Sequence, residues 1–169
     1  MSNPTDQHRA AAQDHRATCC VLTVSDTRTA QTDKGGDAVT QSLVAAGHTV
    51  VQRGLVADEP TAIHDTLKRW LADAPDVILT TGGTGIARRD TTVEIAREFI
   101  DKELEGFGEL FRMLSWQEVG PAAMLSRAVG GLAHETLLFT LPGSLNAVNL
   151  AMQKLIIPEL PHLVWERSR

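Results

Sequence analysis

Apolar and polar residues follow two rhythms along this chain. Cys19-Cys20-Val21-Leu22-Thr23-Val24 is a continuous apolar, β-branched run ending at Ser25-Asp26, which predicts a buried strand and its exit loop. After a polar loop with Gly35-Gly36, the residues Val39, Leu43 and Ala46 recur at helical spacing, and Gly47 marks the stop. His48 to Val56 reads as a second strand. Pro60 suits the first turn of the next helix, whose apolar stripe is Ile63, Leu67, Trp70 and Leu71. Asp76 to Thr81 predicts a third strand running into Gly82-Gly83-Thr84-Gly85. A helix follows from about Asp90 to Ile100, and Phe107, Leu110, Phe111 and Leu114 form another helical stripe. Arg127 to Ala133 and Thr136 to Leu141 read as two more strands, the second entering Pro142-Gly143-Ser144. The last helix carries Leu145, Val148, Met152 and Leu155 and is expected to be broken by Pro158.

Strands alternating with helices predict an α/β fold with a mainly parallel sheet covered on both faces. With 169 residues and no repeat or internal linker, one domain over residues 18–169 is expected. Residues 1–17 are polar and Ala-rich and are read as a mobile tail. They contain no apolar core of a secretory signal, and no apolar run is long enough to span a bilayer, so a cytoplasmic protein without a membrane partner is expected. A net charge of −5 and 4% aromatic residues, with no Tyr, argue against nucleic acid as a partner. The adjacent Cys19 and Cys20 face opposite sides of a strand and make a poor disulfide or metal pair. The six histidines show no zinc spacing, and no Gly-x-Ser-x-Gly elbow is present.

In an open α/β sheet the ligand site lies at the carboxyl ends of the strands. Four such loops here are polar, acidic or Gly-rich: Ser25-Asp26, Asp58-Glu59, Gly82-Gly83-Thr84-Gly85 and Gly143-Ser144. The glycine loop can present amides to a phosphate, although the same residues also make a tight strand-to-helix turn. It is neither a P-loop nor a dinucleotide fingerprint, since no Gly-Lys-Ser/Thr ends it and Arg88 stands where a third glycine would be. Asp90 can be a helix N-cap. Thr91 and Glu94, however, have the spacing of a capping box of their own, which would leave Asp90 one residue outside the helix. There a carboxylate can hold Mg²⁺ against a phosphate. Asp58 is open to the same two readings, and Asp26 has the equivalent place after the first strand. Lys34, Arg88, Arg89, Arg112 and Arg127 are either solvated charges or partners for an anionic ligand. Ser144 reads as an N-cap.

Several segments together resemble the MoaB/Mog family of molybdenum cofactor biosynthesis. They are Thr23-Val24-Ser25-Asp26-Thr27, Ala57-Asp58-Glu59, Thr81-Gly82-Gly83-Thr84-Gly85 with Asp90 five residues on, Glu105-Gly106-Phe107-Gly108-Glu109, Met124-Leu125-Ser126-Arg127-Ala128 and Leu141-Pro142-Gly143-Ser144. The Glu105 to Glu109 and Phe111 to Ser115 segments look closer to the MoaB branch. The resemblance covers nearly the whole chain from Cys19 onward. It implies a three-layer α/β/α sandwich that assembles as a homotrimer or hexamer. It also implies binding of molybdopterin and its adenylylation by Mg-ATP, with Mg²⁺ as cofactor and pyrophosphate as second product. By position, Asp58 and Asp90 match the family's essential acids. Gly82, Gly83, Thr84, Gly85, Ser126, Pro142, Gly143 and Ser144 match the pterin and nucleotide pocket, and Ser25 and Asp26 match its rim. Which acid holds the metal is left open. Ser144 replaces an Asn found in many relatives. Nucleotidyl transfer needs positioning and charge neutralisation rather than a side-chain nucleophile, and the chain offers amides, acids and arginines but no evident nucleophile. The alternative is a carrier, or a partner of other proteins of the pathway, that binds molybdopterin with little turnover. The absence of further domains argues against a third role in metal insertion.

Overall fold

The computed structural model describes Ala12 and residues 15–168. Of the expected tail, residues 1–11 and 13–14 lie outside the described residues. Ala17 is buried, and its amide donates to His48 Nδ1 at 3.2 Å.

Within residues 15–168 six strands and six α-helices follow in order: β1 (Thr18–Val24), α1 (Lys34–Ala45), β2 (Thr49–Val56), α2 (Pro60–Ala72), β3 (Val77–Thr81), α3 (Thr92–Phe99), β4 (Lys102–Glu103), α4 (Glu105–Val119), β5 (Val129–Ala133), β6 (Thr136–Leu141), α5 (Leu145–Ala151) and α6 (Ile157–Arg167). A 3₁₀ segment, Gly120–Leu125, follows α4, and a π-helical turn, Met152–Ile156, joins α5 to α6. The strands form one sheet in the order β2-β1-β3-β6-β5-β4. β2, β1, β3 and β6 run parallel, with Leu22 opposite both Gly54 and Thr80, and Thr80 opposite Thr140. β5 is antiparallel to β6 and to the two-residue β4.

Period-two alternation in the central strands divides the core between the two faces of the sheet. Cys19, Val21, Val77, Leu79 and Phe139 pack against α1, α4, α5 and α6 through Val39, Leu43, Phe111, Val148 and Leu160. Cys20, Leu22, Ile78 and Leu138 face the other way, onto Ile63, Leu67 and Trp70 of α2 and Val93 and Ala96 of α3. The result is the expected three-layer sandwich, with the two cysteines on opposite faces. Fully burying each large aliphatic side chain is worth about 1.5–3 kcal/mol. The central strands, buried on both faces, therefore dominate stability over the exposed β4.

The last helix departs from the expectation drawn at Pro158. It is not broken there and runs on to Arg167. Proline lacks an N–H and its ring crowds the carbonyl four residues back. The π-turn just before it accommodates both effects: the Ile157 amide reaches back five residues to Met152 O, widening the turn where the ring must fit. β5 begins at Val129 rather than Arg127, and β4, too short and polar to carry a hydrophobic pattern, has no counterpart in the predicted elements. In the stripe of α4, Phe107 and Phe111 are core while Leu110 is exposed.

From β1 the chain crosses to β2 on one side and β3 lies on the other. The strand order thus reverses between β1 and β3, which opens a crevice at their carboxyl ends. Asp33 seats α1 beside it. Its Oδ1 accepts from Gly36 N as N-cap, and its Oδ2 accepts from Thr23 Oγ1 and Arg53 Nη2.

Candidate functional site

The glycine loop leaves β3 in a conformation open to glycine. Gly82 has φ +96°, and a Cβ added there would stand 2.2 Å from Val24 O, the end of the neighbouring strand β1. Gly83 has φ +62°. The Gly82 amide donates to Leu141 O at 3.1 Å and Thr81 Oγ1 donates to Pro142 O at 3.0 Å. Backbone therefore ties the loop after β3 to the turn after β6. A Cβ on Gly143 would lie 3.3 Å from Gly82 Cα, so the two turns touch.

Three exit loops meet at Asp26. Its Oδ1 accepts from the Asp58 amide at 3.0 Å, joining the loops after β1 and β2. Its Oδ2 pairs with Arg89 Nη2 at 2.5 Å, joining both to the loop after β3; Glu59 lies 3.7 Å from the same guanidinium nitrogen. Asp58 is 8% exposed, and its Oδ1 has no hydrogen-bond partner. Burial raises the Asp58 pKa above the usual carboxylate value. The negative charges of Asp90 and Asp26 push it further up, and Arg89 offsets part of the effect.

Asp90 stands just outside α3, whose N-cap position is held by Thr91. Its Oδ2 accepts from the Ala87 amide at 2.9 Å and packs against Gly85, where a Cβ would be only 2.6 Å away. The predicted capping box does not form. Thr91 makes no side-chain cap bond, and the Glu94 carboxylate turns to Arg127 Nη2, with both oxygens at 2.7 Å. A guanidinium that can take both oxygens outcompetes a backbone amide. Arg127 Nε also donates to Thr84 O at 3.1 Å, so this arginine, one of those considered for an anionic ligand, braces the glycine loop.

Ser126, Pro142 and Ser144 line one pocket of about 240 Å³, together with Leu125, Ala147 and Leu150. Ser144 is the N-cap of α5, its Oγ accepting from Ala147 N at 3.3 Å. Ser25 Oγ accepts from the amides of Thr27 and Arg28 and shapes the β1 exit. The residues singled out from the sequence thus form two groups. Asp58 stands against Gly83 and Asp90 against Gly85, with Asp26 on the Asp58 amide; Ser126, Pro142 and Ser144 share the small pocket, and Gly143 touches Gly82. A larger apolar groove of about 750 Å³, lined by Leu104, Phe107, Leu110 and Leu163, contains none of them. Glu103, Glu105, Glu159 and Lys154 also line it.

The two thiols are excluded as nucleophiles. Burial pushes Cys19 up to about 12 and Cys20 to about 11. Among the described residues no three His, Cys, Asp or Glu side chains converge on a metal position. Sequence reading passed over two groups that shape the site, Asp33 with its Thr23 and Arg53 partners and the buried Thr92. Asp33 carried a usable signal, an Asp three residues before a glycine at a helix start. Thr92 carried none, because its place against Gly83 depends on the loop's path.

Residues 20–162 match the family described as a probable molybdopterin binding domain. The chain is 50% identical to Molybdenum cofactor biosynthesis protein B of Staphylococcus carnosus over 97% of this chain and 98% of that one. It is 45% identical to the protein of the same name from Bacillus cereus, over 98% of both. Among solved structures, a molybdenum cofactor biosynthesis protein B aligns at 46% identity with TM-score 0.87, covering 92% of this chain and 98% of that one. The tungsten cofactor synthesizing protein MoaB from Pyrococcus furiosus aligns at 36% identity with TM-score 0.81, covering 91% and 98%. Matched from β1 into α6, and half identical to a curated relative along nearly its whole length, the chain belongs to the molybdopterin-binding domain family.

Proposed function

We propose that this protein acts in molybdenum cofactor biosynthesis by binding molybdopterin and adenylylating it with Mg-ATP. The observation that carries the reading is the Asp58 carboxylate, buried, with one oxygen unpartnered, held near Asp90 and Asp26 at the switch point of the sheet. The charges of Asp90 and Asp26 disfavour ionisation of the buried Asp58 carboxyl, and a divalent cation would relieve that repulsion, so the residues fit Mg²⁺. Mg²⁺ is commonly held by one or two carboxylates plus substrate phosphates. Asp58 and Asp90 would be those carboxylates, and the cation would neutralise charge on the triphosphate.

The reaction joins a molybdopterin phosphate oxygen to the α-phosphorus of ATP and breaks the bond to the β-phosphate, releasing pyrophosphate. The protein's part is placement. Amides of residues 83–85 face phosphate oxygens, and Arg127 and Asp90 hold that loop in shape. The pocket of Ser126, Pro142 and Ser144 receives the pterin. Asp26, bonded to the Asp58 amide and to Arg89, keeps the acids in register. We further propose a homo-oligomer, trimer or hexamer. Leu110, Met113, Trp116 and Val119 form an exposed apolar stripe along α4, 47%, 52%, 58% and 55% accessible, which supports self-association.

The test is adenylyl transfer with freshly released molybdopterin and Mg-ATP, following pyrophosphate and adenylylated pterin. Asp90→Asn is expected to bind pterin but lose on the order of 100-fold in kcat. Equal product from both proteins would remove Asp90 from the site. Binding without transfer by either would leave a molybdopterin carrier.

A further inference from the structure

Thr92 carries an expense that its helix does not explain. It is the first residue of α3, fully buried, and its amide donates to Gly83 O at 3.0 Å. Its hydroxyl has no hydrogen-bond partner. A valine would fill the same space without burying an unsatisfied donor. The second unpartnered atom is close by. The point where a Gly83 Cβ would stand is 2.2 Å from Thr92 Oγ1 and 3.0 Å from Asp58 Oδ1, with Val24 Cγ1 at 3.0 Å closing another side. The two atoms are complementary, since a hydroxyl can donate and an ionised carboxylate can only accept. Both lie within 3.0 Å of the one point that a side chain on Gly83 would fill. A modest rotation of either side chain, or one water, joins them.

We propose that Thr92 is a positioning residue for the adenylyl transfer. Its hydroxyl donates to Asp58 Oδ1, directly or through one water, and so fixes the carboxylate with its other oxygen toward the phosphates. The proposal rests on the role assigned above to Asp58. Because the Thr92 amide is bonded to Gly83 O, the contact also links the glycine loop and α3 to the acid carried by the loop after β2. Placement matters at this scale: a displacement of about 1 Å costs on the order of 100-fold in rate.

The experiment compares Thr92→Val and Thr92→Ser, each in the wild-type and the Asp58→Ala backgrounds. It records unfolding free energy, kcat and KM for Mg-ATP, together with a high-resolution crystal structure of the wild-type protein. Thr92→Val is expected to be less stable than wild type, because Asp58 Oδ1 loses its donor, and to lose roughly 10- to 100-fold in kcat with little change in KM. Thr92→Ser, which keeps the donor, is expected to restore most of the rate. In the Asp58→Ala background, where no acceptor remains, the valine is expected to cost no further stability. The crystal structure is expected to show Thr92 Oγ1 joined to Asp58 Oδ1 directly or through one ordered water. A Thr92 hydroxyl bonded to some other group, or full kcat in Thr92→Val, overturns the proposal. If the wild-type protein transfers no adenylyl group, the functional reading fails by itself. The crystal contact, and non-additive effects of Thr92→Val and Asp58→Ala on unfolding, then still decide whether Thr92 holds Asp58.

Discussion

Gly82→Ala, with Gly106→Ala as its counterpart, tests how the glycine loop is built. Two separate costs fall on the alanine at 82. Its φ of +96° lies outside what an L side chain adopts comfortably, a strain of about 1–3 kcal/mol. Its Cβ would also stand 2.2 Å from Val24 O and 3.2 Å from Val24 C. These are backbone atoms at the end of a strand paired on both sides, so the strand cannot step back. Forcing the loop outward instead strains the Gly82–Leu141 bond and the contact with Gly143. Such overpacking costs a further ~1–3 kcal/mol. The expected total, roughly 2–6 kcal/mol, is large against the about 5–15 kcal/mol that holds a domain folded. Gly106 is the opposite case: it has a negative φ, it lies in the first turn of α4, and a Cβ there meets nothing within 4 Å. Gly106→Ala is expected to be neutral or to stabilise by up to about 1 kcal/mol. Urea unfolding at one fixed protein concentration measures both, with the slope checked for constancy. A loss below about 1 kcal/mol for Gly82→Ala, or an equal loss at both positions, would refute the reasoning.

Asp58→Asn is expected to stabilise the protein at neutral pH while removing the proposed activity. The folded-state pKa of Asp58 is raised, so its favourable contribution is present below the unfolded value near 4 and is lost as pH rises through the folded one. Thermal melts at several pH values should show the Asn variant's advantage shrinking as pH falls. Asp33 and Asp76 behave in the opposite sense. Their pKa values are lowered by partners that outweigh the opposing effect of burial: Thr23, Arg53 and the Gly36 amide for Asp33, and Thr18 and Arg167 for Asp76. Their stabilisation is present above about pH 4 and is lost as pH falls through the folded values. Asp76→Asn should therefore cost about 1–3 kcal/mol near pH 7 and flatten the acid limb of the stability curve. The buried thiols of Cys19 and Cys20 should react with a disulfide reagent at pH 8 only after denaturant is added; rapid labelling of the native protein would contradict their placement.

Most of the sheet could be read in advance because β1, β3 and β6 are short runs of apolar and β-branched residues bounded by loops. Such a pattern says little about direction. The antiparallel pairing of β5 with β6 follows from the tight turn at His134 and Glu135, which joins neighbouring strands without a crossover helix. The helix stop at Pro158 failed because the remedy, a widened turn, is spread over residues that look like ordinary helix. The capping box failed because the competing partner of Glu94 lies 33 residues further along the chain. The acids of the site were accessible as strand-exit residues. Their common dependence on Asp26, and the seat of Thr92 against Gly83, arise only when three loops are brought together.

The π-turn also gives the chain's length one point of slack. Each residue advances a helix by about 100°. The π-turn at Met152–Ile156 spends one residue more than a regular turn on nearly the same rotation, so removing one residue there would close a regular helix and leave α6 facing as it does. The same deletion inside α6, at Glu159, has no such slack: the chain beyond would rotate by that angle, Val164 would swing away from the sheet, and the guanidinium of Arg167 would leave the Asp76 carboxylate and the Glu135 carbonyl that it now grips. A one-residue deletion in the exposed loop at 27–32 moves no buried side chain of this kind. Within α6 the number of residues, as much as their identity, keeps the last helix facing inward.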